Sequence, residues 1–121
     1  MKIGILESEF IIYKRVEYPK IDKNIFCLIQ EVDGVSIIAV ASEDKSKCYP
    51  LFRTFYLDTF KGTLLSLADS INDLNENGIL YEALRPLKEN NISVLVISAF
   101  NRDYIFVDKR FFNQALSLMK G

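Results

Sequence analysis

The sequence predicts an α+β fold in which helices pack on one face of antiparallel sheets, laid out as two repeats of one unit. Two pairs of strand-like runs, each pair joined by a short polar turn, predict the sheets. Two apolar stripes at helical spacing predict the helices. The third observation is an offset: Val35-Ser36-Ile37-Ile38-Ala39 lies 68 positions before Asp103-Tyr104-Ile105-Phe106-Val107, each after an apolar strand and a polar turn.

Taken in order, residues 3–16 place Ile3, Ile5, Phe10, Ile12 and Val16 near the period of two that marks a half-buried strand. The polar Glu7-Ser8-Glu9 interrupts that run and predicts a hairpin there. Tyr18 to Asn24 is polar with an early proline, and reads as a loop or one helical turn. Ile25 to Val32 and Val35 to Ala41 are β-rich runs meeting at Asp33-Gly34, a dipeptide suited to a two-residue hairpin turn. Glu43 to Lys47 is a solvated turn. Around Pro50, the aromatic segment Tyr49 to Phe60 points Phe52, Phe55, Tyr56 and Phe60 inward, and a repeat boundary is expected near Phe60.

Thr63 to Asp69 fits both a helix face and a strand alternation, and pattern alone leaves the two open. Gly78 to Asn90 carries Ile79, Leu80, Ala83, Leu84 and Leu87 on one stripe, with Asn77 as the expected cap and Pro86 as a kink. Ile92 to Phe100 and Tyr104 to Val107 form the second hairpin, across Asn101-Arg102-Asp103. Asp108 then caps a last helix through Phe111, Phe112, Ala115, Leu116 and Met119.

Composition narrows the function. The 121 residues suit one compact unit, half of them apolar, with no stretch able to span a bilayer. The N-terminus meets Glu7 before an apolar signal region develops, so a cytoplasmic location is expected. Cys27 and Cys48 read as separate thiols. Fifteen scattered basic residues against sixteen acidic ones disfavour nucleic acid as a partner. The absence of histidine removes the commonest general base and metal ligand, so neither an enzyme nor a metal or other cofactor is expected.

Each half supplies a strand, a helical or turn segment and then a hairpin, the βαββ ordering of a ferredoxin-like unit. Gly78-Ile79-Leu80, the helix with Ala83, Pro86 and Leu87, then Asn91-Ile92-Ser93, Ile97-Ser98, Phe100 and Asp103-Tyr104-Ile105 with Val107 carry a further likeness. In that order and spacing they resemble small standalone proteins of two tandem ACT-like repeats, related to aspartate kinase regulatory domains and to the cytosolic arginine sensor CASTOR. The resemblance implies repeats over residues 1–60 and 61–121, with Gly62 to Asp69 as a strand and Ser70 to Asn77 as a loop. The chain departs from the family pattern at Glu31 to Ser36, at Ala99 and at Arg102.

The resemblance also implies a non-catalytic regulatory or sensor module, a homodimer, whose small-molecule ligand, an amino acid, binds at the loop before the helix. In this sequence that site comprises Asn72, Asp73, Asn75, Glu76, Asn77, Gly78, Ile79 and Leu80, with Ser98 on the facing strand. Backbone N–H groups around Gly78 suit a carboxylate, and Asp73, Glu76 and the asparagines suit an ammonium. The plainer role of this loop is a solvated connector with Asn77 as cap. Asp103 reads as a turn former before a ligand contact. A ligand-free dimerisation or protein-interaction domain shares every one of these fold features, and an RNA-recognition module shares the element order without its basic-aromatic strand.

Overall fold

A computed structural model of the chain describes residues 3–58 and 74–120, the side chains of 74–79 excepted. Along the chain run β1 (Ile3–Arg15), β2 (Ile25–Glu31), β3 (Gly34–Val40), β4 (Phe52–Leu57), α1 (Leu74–Glu89), β5 (Val94–Ser98), β6 (Asp103–Asp108) and α2 (Phe112–Lys120), with 3-10 turns at Lys45–Lys47 and Lys109–Phe111. The strands form one six-stranded sheet in the order β2-β3-β1-β4-β6-β5, and every pair is antiparallel. Read from either edge inward, the order is the same: hairpin, then the strand that precedes it in sequence, meeting at the central β1–β4 pair. Val35–Ala39 and Asp103–Val107, 68 positions apart, occupy the matching strands β3 and β6.

Both hairpins form, each with an adjusted turn. Glu31 pairs with Gly34, so the first turn is Val32-Asp33 and not Asp33-Gly34. Gly34 is needed at the strand start instead: its φ is +157°, and an added Cβ would lie 2.5 Å from the Arg15 carbonyl oxygen. In the second hairpin Ser98 pairs with Asp103, and the loop closes through Ala99 N–H donating to the Arg102 carbonyl at 3.0 Å. Asp103 is therefore the first residue of β6, flanking the turn and not within it. Glu7-Ser8-Glu9 makes no hairpin either; β1 continues through it, with a register shift against β4 between Leu6 and Phe10. An interruption of the alternation can be absorbed by a bulge without reversing the chain.

The helix-bearing face holds the larger core. Phe55, Leu57, Ile105 and Val107 project from β4 and β6 onto Ala83 and Leu87 of α1 and Phe112 and Ala115 of α2. Leu80, Ala83, Leu84 and Leu87 of the first predicted stripe and Phe112, Ala115, Leu116 and Met119 of the second thus face the sheet, whereas Phe111 is exposed and sits in the turn before α2. Asp108 caps that turn, accepting the Arg110 N–H at 2.9 Å. Helix α1 begins at Leu74, a turn earlier than the Asn77 cap and Gly78 start expected from the sequence, and continues past Pro86. It ends in a Schellman motif: Ile92 N–H donates to the Leu87 carbonyl, Asn91 N–H to that of Lys88, and Asn91 takes φ 58°. Phe60, the expected strand at Gly62 to Asp69, the first half of the expected loop after it and the boundary between residues 60 and 61 lie outside the described residues, and the second half of that loop, from Leu74, is helix.

On the opposite face Phe10, Ile38 and Phe106 are buried, and no helix among the described residues lies over them. Phe26, on edge strand β2, packs edge-on against Tyr104 and Phe106 of β6, with ring centroids 4.9 and 5.7 Å apart. In a flat sheet four strand spacings, roughly 19 Å, would separate β2 from β6. The sheet is therefore rolled over this face, aided by the shifts in β1 and in β2 between Ile25 and Cys27.

Candidate functional site

The Schellman turn sends the chain back on itself, so β5 runs beneath α1 and Val94 sits beside Leu84 and Lys88 near the helix C-terminal end. Ser98, at the far end of β5, lies toward the earlier turns of the helix. There the sheet ends in Leu57, Ser98 and Asp103, with Leu57 and Ser98 in register on either side of Asp103. Period-two alternation puts the Asp103 side chain on the helix-bearing face with Ile105 and Val107. Asp103 is only 8% exposed, a buried carboxylate at the mouth of the helix–sheet layer, while Ser98 is exposed.

The other face of this end carries Tyr56, Asp58, Arg102 and Tyr104. Arg102 Nε lies 2.9 Å from Asp58 Oδ1 without aiming its hydrogen along that line, so charge and not a formed hydrogen bond holds the pair. The Arg102 guanidinium also rests 4.9 Å from the Tyr56 ring centroid. Loss of water around the guanidinium works against its charge, but Asp58, Tyr104 and Tyr56 outweigh this and hold its pKa above the ordinary arginine value. Tyr56 lies flat across β1 because Gly4 opposite has no side chain; a Cβ there would fall 2.0 Å from Tyr56 Cζ.

Of the residues expected to bind a ligand, Asn72 and Asp73 fall outside the described residues. Asn75, Glu76, Asn77, Gly78 and Ile79 lie within the first turns of α1 and not in a loop ahead of it. Leu80 packs against the core under the helix. Ser98 is the last residue of β5, paired with Asp103. Missing from the sequence expectation was the inward setting of Asp103. The 68-residue offset pointed to it, because Asp103 matches Val35, which is 2% exposed. The Arg102–Asp58 pair had no such signal, since it joins a loop to a strand end 44 residues earlier in the chain.

Chemically, this end of the molecule carries a buried carboxylate, an exposed hydroxyl and a guanidinium beside Asp58. Among the described residues no cluster of three or more carboxylates or thiols is placed to hold a metal ion. No helix among them is long and apolar enough to cross a membrane.

No curated protein matches the chain. Two solved structures share its fold at 18% sequence identity each. A Vibrio cholerae protein of unknown function, described as a possible transport protein, has a TM-score of 0.72 over 97% of this chain and 85% of its own. An Agrobacterium tumefaciens protein has a TM-score of 0.67 over 98% of this chain and 85% of its own. Residues 65–120, which hold α1, β5, β6 and α2, match the model of the ACT domain, and this C-terminal part of the chain is ACT-like.

Proposed function

We propose that the protein is a non-catalytic, cytoplasmic regulatory or sensor module that binds a small molecule, an amino acid, and acts as a homodimer. The observation that carries this reading is the buried Asp103 carboxylate, set within the ACT-like segment at the sheet end toward the first turns of α1. In this reading Asp103 takes the ligand ammonium and Ser98 adds a hydroxyl. The ligand carboxylate meets backbone N–H groups in the segment from Asn72 and Asp73 through Asn75, Glu76 and Asn77, the open donors of the first turn, while those of Gly78, Ile79 and Leu80 are spent inside the helix.

We read the architecture as two tandem ACT-like repeats meeting at the β1–β4 pair. The mirrored strand order supports this reading, in which the junction falls between β3 and β4, ahead of the 60/61 division expected from the sequence.

The test is a thermal-shift screen of the full chain against the proteinogenic amino acids, with nucleotides and a short RNA as controls. A ligand at about 100 times its dissociation constant adds roughly 2.7 kcal/mol, a shift of several degrees for a chain of this size. One amino acid should raise the midpoint and lose that effect in Asp103→Asn, while its deaminated analogue responds equally weakly in both proteins. Silence from every amino acid overturns the reading and favours a ligand-free interaction domain; an amino-acid shift unchanged in a folded Asp103→Asn overturns the role given to Asp103.

A further inference from the structure

A second site lies in the N-terminal half, where no helix among the described residues covers the sheet. Over β4 and β6 the layer is α1 and α2; over β1 and β3 the cover is the segment 41–51, with Leu51 and Ala41 packed on Ile11, Val35, Ile37 and Ala39. Between this segment and the loop before β2 a cavity of about 370 Å³ remains, within the size range of small-molecule sites. Its wall combines Ile25, Ala39 and Tyr13 with three cations, Arg15, Lys20 and Lys45.

The three cations come from separate pieces of chain: the end of β1, the following loop and the 3-10 turn after β3. None makes an ion pair with a carboxylate among the described residues, whereas Lys14, Arg85, Arg102, Lys109 and Arg110 all do. The sole lining carboxylate, Asp22, is engaged locally, with Oδ1 accepting the Asn24 N–H at 2.8 Å. Lys45 Nζ is set against the Tyr13 ring, 5.1 Å from its centroid, and Tyr49 packs on the same ring at 5.7 Å. Ser42 and Asn24 add short polar groups at the wall. Like charges gathered around a polar hollow in a chain of net charge −1 repel one another unless an anion joins them.

We propose that this hollow binds a small metabolite bearing a multiply charged oxyanion group, a phosphate ester or a polycarboxylate, held by Arg15, Lys20 and Lys45. The site is separate from the Asp103 end, so its failure leaves the amino-acid reading untouched.

The test is titration of the isotope-labelled full chain, in low salt, with glycerol 3-phosphate in one arm and citrate in the other, followed by amide NMR. At least one probe should bind saturably, with shifts concentrated at Tyr13–Arg15, Lys20–Asn24 and Ser42–Lys45; which probe binds identifies the source of the oxyanion. Lys45→Gln and Arg15→Gln should each weaken binding roughly tenfold, as expected for loss of one charge-assisted contact. Asp22→Asn, which keeps the Oδ1 acceptor and removes a repelling charge, should tighten it. Absence of saturable shifts with both probes, or affinities unmoved by the lysine and arginine changes in folded variants, overturns the proposal.

Discussion

Asp108 shows how one residue does two local jobs. Its Oδ1 accepts the Arg110 N–H as the cap before α2, and the same carboxylate is gripped by the Arg110 guanidinium at 3.0 and 2.9 Å. The side-chain bonds from Arg110 come first, then the backbone bond, in holding its pKa below the ordinary value of 3.8. Because the folded value is the lower one, this stabilisation is fully present above the unfolded value near 3.8 and is lost as pH falls through the folded value. The Asp108 side chain is 22% exposed and its Arg110 partner 77%, so salt screens part of the effect. A carboxyl NMR titration should place the Asp108 midpoint below 3.8, and Arg110→Ala should return it toward that value; a midpoint unmoved by that change refutes the grip.

At the level of elements, β2 breaks the usual rule that edge-strand side chains matter little. Phe26 reaches across the rolled sheet to Phe10, Tyr104 and Phe106, and so links the first hairpin to the second. Ile29, on the same strand, is 43% exposed and has no such partners. Phe26→Ala should therefore cost about 2–4 kcal/mol, near the range for truncated core aromatics, and Ile29→Ala less than about 1 kcal/mol. Urea unfolding of both variants checks this, and equal losses would mean that the cross-sheet cluster contributes nothing beyond ordinary burial. The partly buried Cys27 next to Phe26, its thiol pKa raised by desolvation, belongs to the same packed face and stays a thiol in the fold, as does exposed Cys48.

For the whole molecule, the continuous sheet makes the two halves depend on each other. Strand β6, within residues 61–121, pairs along its full length with β4, within residues 1–60, and β4 in turn pairs with β1. A fragment of residues 61–121 would lose the strand that buries Ile105 and Val107 and expose its donors and acceptors. It should be unfolded on its own by circular dichroism, while the full chain should melt in one transition whose calorimetric and van't Hoff enthalpies agree. A folded 61–121 fragment would show that the two halves are independent domains. The hairpins, the helical stripes facing the sheet and the cap at Asp108 were legible in the sequence, because each rests on contacts within a few residues or on simple periodicity. Helix α1 starting at Leu74 was not, since Asn75 to Gly78 are polar or small and carry no apolar period to mark a first turn. The through-running β1 hid behind Glu7-Ser8-Glu9 for the same reason: a bulge and a hairpin begin with the same polar break. What the sequence determined alone was therefore local: where most of the described strands and helices run. Only the tertiary structure decided which strands lie side by side, how far the sheet rolls, and that Asp103 sits buried while Arg15, Lys20 and Lys45 converge. Those arrangements join residues tens of positions apart, and they depend on register and curvature that local periodicity does not encode.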